Sequence, residues 1–104
     1  MKLVVRPGKS LRGTVEVPGD KSLSHRAALL AAMAEGNSRI ENFLVAGVTQ
    51  AMLDSLSALG VRWALDGSTL TVQGVGLHQE AASKPTSLFC GNSATTLRLL
   101  TGAL

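Results

Sequence analysis

Lys21, Ser22 and Arg26 are the residues of this chain whose types and spacing could do chemistry. They fall in Pro18-Gly19-Asp20-Lys21-Ser22-Leu23-Ser24-His25-Arg26, where a Pro-Gly turn runs into a polar, basic stretch. The apolar run Ala27–Ala34 follows, so that stretch occupies the first turn of a helix predicted over about Lys21–Glu35, closed by Gly36. At such a start the unpaired N–H groups and the positive end of the macrodipole favour an anion. Two cations and several hydroxyls on the same turn suit a phosphate. The chemistry implied is recognition of an anionic, phosphorylated small molecule. Ser22 and Ser24 have no His/Asp arrangement to activate them, so they read as caps or phosphate contacts and not as nucleophiles. His25 reads as a helix residue near the ligand or solvent.

A second stretch has the same plan. Gly91-Asn92-Ser93-Ala94-Thr95-Thr96-Leu97-Arg98 can be laid on Gly19–Arg26: a Gly, an Asx, small hydroxyl residues, and an Arg seven places after the Gly. In each, the Gly permits a tight approach and the Asx (Asp20, Asn92) is expected to cap the helix that follows. Two strand–turn–helix units of this kind would place two anion-receptive helix ends on one molecule. Neither is a Walker A loop, and no GxGxxG dinucleotide fingerprint occurs. His25 and His78 lack metal-ligand spacing, so no structural metal is expected.

The elements that must position these turns follow from pattern. Lys2–Arg6 and Gly13–Val17 alternate as short strands, with Pro7-Gly8 as the turn between them. Ser38–Leu44 reads as a strand. Thr49 is the predicted N-cap of a helix over Gln50–Leu59, with Met52, Leu53, Leu56 and Leu59 as its core stripe and Gly60 closing it. Val61–Leu65 and Ser68–Gln73 flank Asp66-Gly67, a hairpin signal that puts Val61, Trp63 and Leu65 on one face, beside Leu70 and Val72. Gly74–Thr86 reads as an exposed connection and Leu88–Cys90 as a buried strand. The last helix is predicted from Gly91-Asn92-Ser93 to Leu104. No stop signal follows Thr96, so the sequence is expected to continue into something longer.

Composition narrows the classes. Among 104 residues, 45% are hydrophobic and 16% charged, which marks a folded domain or a piece of one. The net charge of +3 is slight and its cations are scattered. With Trp63, Phe43 and Phe89 as the whole aromatic complement, a base-stacking nucleic-acid surface is not expected. Cys90 is the single cysteine, so it can form no internal disulfide and reads as a buried core thiol in a reducing cytoplasm. The N-terminus has no signal-peptide h-region, and no apolar run approaches the ~18 residues of a membrane span.

The two motifs together resemble those of the 5-enolpyruvylshikimate-3-phosphate synthase family. Pro18–Ala27 is similar to its N-terminal signature, and Leu88–Arg98 to its second motif, Gly-Asn-(Ala/Ser)-(Gly/Ala)-Thr-x-x-Arg. The resemblance implies a mixed α/β (α+β) enolpyruvyl transferase-like fold of two lobes built from repeated βαβαββ units. Residues 1–19 would be strands of the lobe completed by the rest of the enzyme, and residues 20–104 would begin the other lobe. It also implies transfer of an enolpyruvyl group from phosphoenolpyruvate to the 5-hydroxyl of shikimate 3-phosphate, with release of phosphate and with no metal or organic cofactor. Lys21 would touch both substrates as the catalytic residue. Ser22 and Arg26 would hold shikimate 3-phosphate, Asn92, Ala94 and Thr95 would line the phosphoenolpyruvate side, and Arg98 would brace the loop. The family's proton-handling carboxylates have no counterpart before Leu104, so this piece is expected to be inactive without its complement.

Departures from the family pattern are informative. Many members have Gly where this chain has Ala94, and Pro where it has Leu99. A methyl at position 94 narrows the space beside phosphoenolpyruvate, which in the family accompanies tolerance of the inhibitor glyphosate. The acidic residue common before the second helix is missing from Ala46-Gly47-Val48-Thr49. Three rival readings stand beside this one. They are the sister transferase acting on UDP-N-acetylglucosamine, a phosphate-binding module without catalysis, and a folding subunit that pairs with a separately made remainder.

Overall fold

The computed structural model describes residues 1–76 and 87–104. Six elements form: α1 (Lys21–Met33), β1 (Glu35–Ile40), α2 (Gly47–Ala58), β2 (Arg62–Asp66), β3 (Thr69–Val75) and α3 (Ala94–Ala103). The sheet has the order β1-β3-β2 and both pairings are antiparallel. Trp63 lies opposite Val72 and Leu65 opposite Leu70, as the hairpin pattern predicts. Asp66 pairs with Thr69, however, so the two-residue loop is Gly67-Ser68 and not Asp66-Gly67. Gly67, at φ +59°, takes the left-handed position, while Asp66 remains in the ladder.

One face of the sheet carries the core. α1 lies on β1 and β3, α2 lies on β2, and α3 packs on α1 and α2. Ala28, Ala31 and Ala32 of α1, Met52, Leu53 and Leu56 of α2, Leu70 and Val72 of β3 and Leu100 of α3 form a single buried cluster. The Met52/Leu53/Leu56 stripe read from the sequence is buried as expected, with Leu59 partly buried at its edge. Small side chains on α1 let it approach the sheet closely. At Gly74 a Cβ would collide with the carbonyl groups of Ala31 and Ala34, so β3 needs glycine where the end of α1 crosses it. Trp63 ties the hairpin to α2 by donating its indole N–H to Leu53 O at 2.9 Å and Ser57 Oγ at 2.6 Å.

Several boundaries differ from those read in the sequence. α1 stops at Met33 because Ala34 is already extended (φ −76°, ψ 165°), and Gly36, at φ +85°, sits inside β1 and not at the end of the helix. β1 ends at Ile40, since Asn42 turns the chain at φ +56° before it can continue to Leu44. α2 begins at Gly47, with Ala46 as its N-cap and Thr49 three places inside. Thr49 Oγ1 accepts from Ala46 N–H at 3.0 Å and donates to Leu44 O at 2.6 Å, so it holds the entry to the helix from within. Leu88–Cys90 is not a strand, and Cys90 is half-buried in a loop and not part of a core strand. His78, and the connection read beyond Gly76, lie outside the described residues.

Residues 1–18 form no strand and all are exposed. The alternation in Lys2–Arg6 and Gly13–Val17 is real, but a strand also needs a neighbour for its N–H and C=O groups. Leu3, Val5, Leu11 and Val15 are each at least 80% exposed, so none of the described residues covers them. The elements that follow run in the order αβαββα.

Candidate functional site

The start of α1 is built by Asp20. Its backbone is extended (φ −72°, ψ 138°) and its Oδ1 accepts from Leu23 N–H at 2.7 Å, while Ser24 N–H makes the first intrahelical bond, to Asp20 O at 3.0 Å. The amides of Lys21 and Ser22 therefore precede Ser24 N–H, the first intrahelical donor, and are free to meet an anion. Lys21, Ser22 and Arg26 are all exposed. Arg26 stands one turn above Ser22 on the same face and donates from Nε back to Ser22 O at 3.2 Å, which draws its guanidinium toward the N-terminal end.

The start of α3 uses a different cap from the one expected. Ser93, not Asn92, is the N-cap, and its Oγ accepts from Thr96 N–H at 3.1 Å. Asn92 lies instead in the turn Cys90–Ser93, closed by Ser93 N–H to Cys90 O at 2.9 Å with Gly91 at φ +54°. A hydroxyl one residue later captured the cap because that turn carries Asn92 outward. Asn92 and Ala94 are exposed and Thr95 is half-buried. Arg98 is exposed on the second turn.

The two starts are joined by a residue that sequence reasoning placed near solvent. His25 is fully buried. Its Nδ1 lies 2.8 Å from Lys21 O, and its Nε2 lies 3.1 Å from Val48 O and 3.2 Å from Ser93 Oγ. Carbonyls only accept, so Nδ1 donates to Lys21 O, or Nε2 to Val48 O, only in a form of the ring that carries the proton on that nitrogen. Ser93 Oγ is also 2.7 Å from Thr96 Oγ1, which donates to Val48 O at 3.5 Å. Lys21, Val48 and Ser93 belong to the opening turns of α1, α2 and α3, so three helix N-termini converge on one buried ring. Ser24, next to it, is buried too; its Oγ accepts from Leu44 N–H at 3.0 Å and ties α1 to the α2 approach instead of facing a ligand. The missed signal was phase: His25 lies in register with Ala28 and Ala32 on the buried stripe of α1.

Convergent N-termini add their partial positive charges, and Lys21 and Arg26 add full ones. The arrangement can bind and orient anions. A small cavity of about 140 Å3 lined by Gly60, Arg62, Gln73, Gly74 and Val75 lies at the opposite ends of α1 and α2 and has no part in this site. No helix among the described residues is long and apolar enough to cross a membrane.

Fold and site together define a mixed sheet-and-helix unit that gathers three helix N-termini, with cations beside them, at one end. A family model, EPSP synthase (3-phosphoshikimate 1-carboxyvinyltransferase), matches residues 5–104. The chain belongs to this family. It is 48% identical over 101 residues to the 3-phosphoshikimate 1-carboxyvinyltransferase of Citrifermentans bemidjiense, covering 96% of this chain and 23% of that protein. The corresponding protein of Alkalilimnicola ehrlichii is 50% identical over 108 residues, covering 100% of this chain and 23% of its own length. A solved structure of EPSP synthase from Acinetobacter baumannii superposes with a TM-score of 0.76 at 39% identity, over 88% of this chain and 21% of that one. The chain thus spans about a quarter of the length of these relatives, and its fold is a portion of an enolpyruvyl transferase.

Proposed function

We propose that this chain supplies part of the substrate site for transfer of the enolpyruvyl group of phosphoenolpyruvate to the 5-hydroxyl of shikimate 3-phosphate, with release of phosphate. The observation that carries the reading is the convergence of the α1 and α3 starts through His25 and Ser93, 68 residues apart in sequence. Lys21, the amide and hydroxyl of Ser22, and Arg26 bind shikimate 3-phosphate by charge-assisted hydrogen bonds. Asn92, Ala94 and Thr95 form the phosphoenolpyruvate side. Lys21 reaches both substrates and stabilises negative charge that develops during transfer. Transfer also needs a proton at the methylene carbon of phosphoenolpyruvate. Asp20, the carboxylate nearest in sequence to these side chains, is engaged as a helix cap. The family resemblance puts the proton-handling groups in the part of the enzyme that this chain does not include.

The same reading assigns residues 1–19 to the other lobe. Their exposed apolar side chains would be covered there by strands of the remainder. Gly19 suits a crossing point: a Cβ there would collide with Asn42 O and Leu44 N, and Asn42 Nδ2 donates to Val17 O at 3.2 Å. The half-buried free thiol of Cys90 fits a reducing cytoplasm. The exposed methyl of Ala94, at the first position of α3, narrows the phosphoenolpyruvate side and confers glyphosate tolerance.

The test is phosphate release from the two substrates by the complete open reading frame that carries this sequence, beside residues 1–104 alone. Turnover by the first and none by the second is the expected result. Equal rates, or no turnover by the complete protein, would overturn the reading.

A further inference from the structure

Lys21 and Ser93 stand at the N-terminal ends of α1 and α3, and the His25 side chain that touches both has no contact with solvent. His25 is 0% exposed, and its ring nitrogens face groups on the first turns of three helices: Lys21 O, Val48 O, and Ser93 Oγ. Lys21 itself carries a substrate-facing ammonium, and Ser93 is flanked by Asn92 and Ala94. A rigid planar ring held on both sides leaves these helix ends little freedom to slide or rotate relative to one another. The partners lost with it would be buried polar groups, which are costly to leave unpaired.

We propose that His25 is a positioning residue, one that sets the spacing between the shikimate 3-phosphate side on α1 and the phosphoenolpyruvate side on α3. This rests on the enolpyruvyl-transfer reading for its kinetic consequence and on the geometry alone for its structural one. The chemistry requires the 5-hydroxyl and the enol carbon to meet, so a shift between the two half-sites impairs reaction more than it impairs binding of either substrate on its own half. Misplacement on the order of 1 Å can cost about a hundredfold in rate.

Two substitutions separate the links, since Asn places its amide where Nδ1 stands and Gln places its amide where Nε2 stands. In the complete enzyme, His25→Asn keeps a polar group facing Lys21 O and loses the one facing Val48 O and Ser93 Oγ. It is expected to raise the KM for phosphoenolpyruvate and lower kcat, together by about tenfold or more in kcat/KM, with the calorimetric Kd for shikimate 3-phosphate within about threefold of wild type. His25→Gln restores the cross-helix link and is expected to recover most of that loss. A merely structural role would lower the melting temperature of both variants and leave both KM values unchanged.

A second readout does not depend on activity. Spin labels at the exposed positions Leu30→Cys on α1 and Leu97→Cys on α3, with other cysteines replaced, report the distance between the helices. The distribution is expected to broaden in His25→Asn and to narrow again in His25→Gln. An unchanged width in His25→Asn, or a His25→Gln variant as impaired as His25→Asn, overturns the proposal. Should His25→Asn not fold, Ser93→Ala, which removes one cross-helix partner, is read the same way, and an unchanged distribution overturns it. A wild-type protein without turnover would sink the enolpyruvyl-transfer reading, while the label distances would still decide the role of His25.

Discussion

His25 Nε2 stands 3.2 Å from Ser93 Oγ and joins two helix starts that are 68 residues apart. Ser93 is at once the N-cap of α3, through Thr96 N–H, and the partner of a buried ring on α1. Local capping and tertiary assembly of the site thus depend on one hydroxyl. Removing it by Ser93→Ala is expected to cost about 1–2 kcal/mol through loss of the cap and an unpaired neighbour. Amide hydrogen exchange should show the loss as reduced protection at Thr96 and Leu97, with the sheet amides of β3 unaffected. Unchanged protection at those two amides would contradict the assignment of Ser93 as the cap.

Lys21 and Arg26 are exposed side chains and not partners in a core, so their removal should leave the fold intact. Arg26→Ala is expected to weaken shikimate 3-phosphate by about 10- to 100-fold, the range of one charge-assisted hydrogen bond. Lys21→Met should abolish turnover at an unchanged melting temperature. Both sites are open to solvent, so affinity for the substrate should fall as salt rises. Titration calorimetry at two salt concentrations checks both points.

Ala94 is exposed at the first position of α3, where the helix start faces the proposed phosphoenolpyruvate side. Ala94→Gly removes one methyl and should tighten inhibition of the complete enzyme by glyphosate, about tenfold or more, while lowering the KM for phosphoenolpyruvate. Steady-state inhibition measured with both variants decides it. A submicromolar inhibition constant for the unaltered enzyme would remove the basis for tolerance.

Two glycines give a matched pair for stability. Gly74 lies under the end of α1, where a Cβ meets the backbone oxygens of Ala31 and Ala34; Gly8 has nothing within 4 Å. Backbone carbonyls of a packed helix cannot move aside, so Gly74→Ala should destabilise by about 1–3 kcal/mol. Gly8→Ala should change stability by no more than about 1 kcal/mol, and in the stabilising direction if at all. Thermal denaturation of the two variants side by side distinguishes them.

Much of this protein was legible before any fold was known. Asp20 before Lys21-Ser22 marked a helix start, because a carboxylate there meets free N–H groups whatever surrounds it. The Leu70/Val72 alternation and the nearby Gly67 marked the hairpin, and Met52, Leu53 and Leu56 marked a core face. These are near-neighbour effects, and they act within a few residues. The paired motifs Pro18–Arg26 and Gly91–Arg98 likewise pointed to anions through residue type and spacing alone.

Other features depended on groups distant in sequence. Whether Val15 and Val17 become a strand depends on a partner for their backbone groups, and alternation cannot supply one. Whether Asn92 or Ser93 caps α3 was settled by the Gly91 turn, which carries Asn92 away from the helix axis. His25 is the clearest case. From the sequence it reads as lying near the ligand or solvent, which passes over its phase with Ala28 and Ala32, and no phase could say that Val48 O and Ser93 Oγ would be there to meet it. Residue types and local hydrogen bonding therefore determined a helix start with the polarity to receive an anion; only tertiary packing, by bringing α2 and α3 to the same buried ring, joined it to two others.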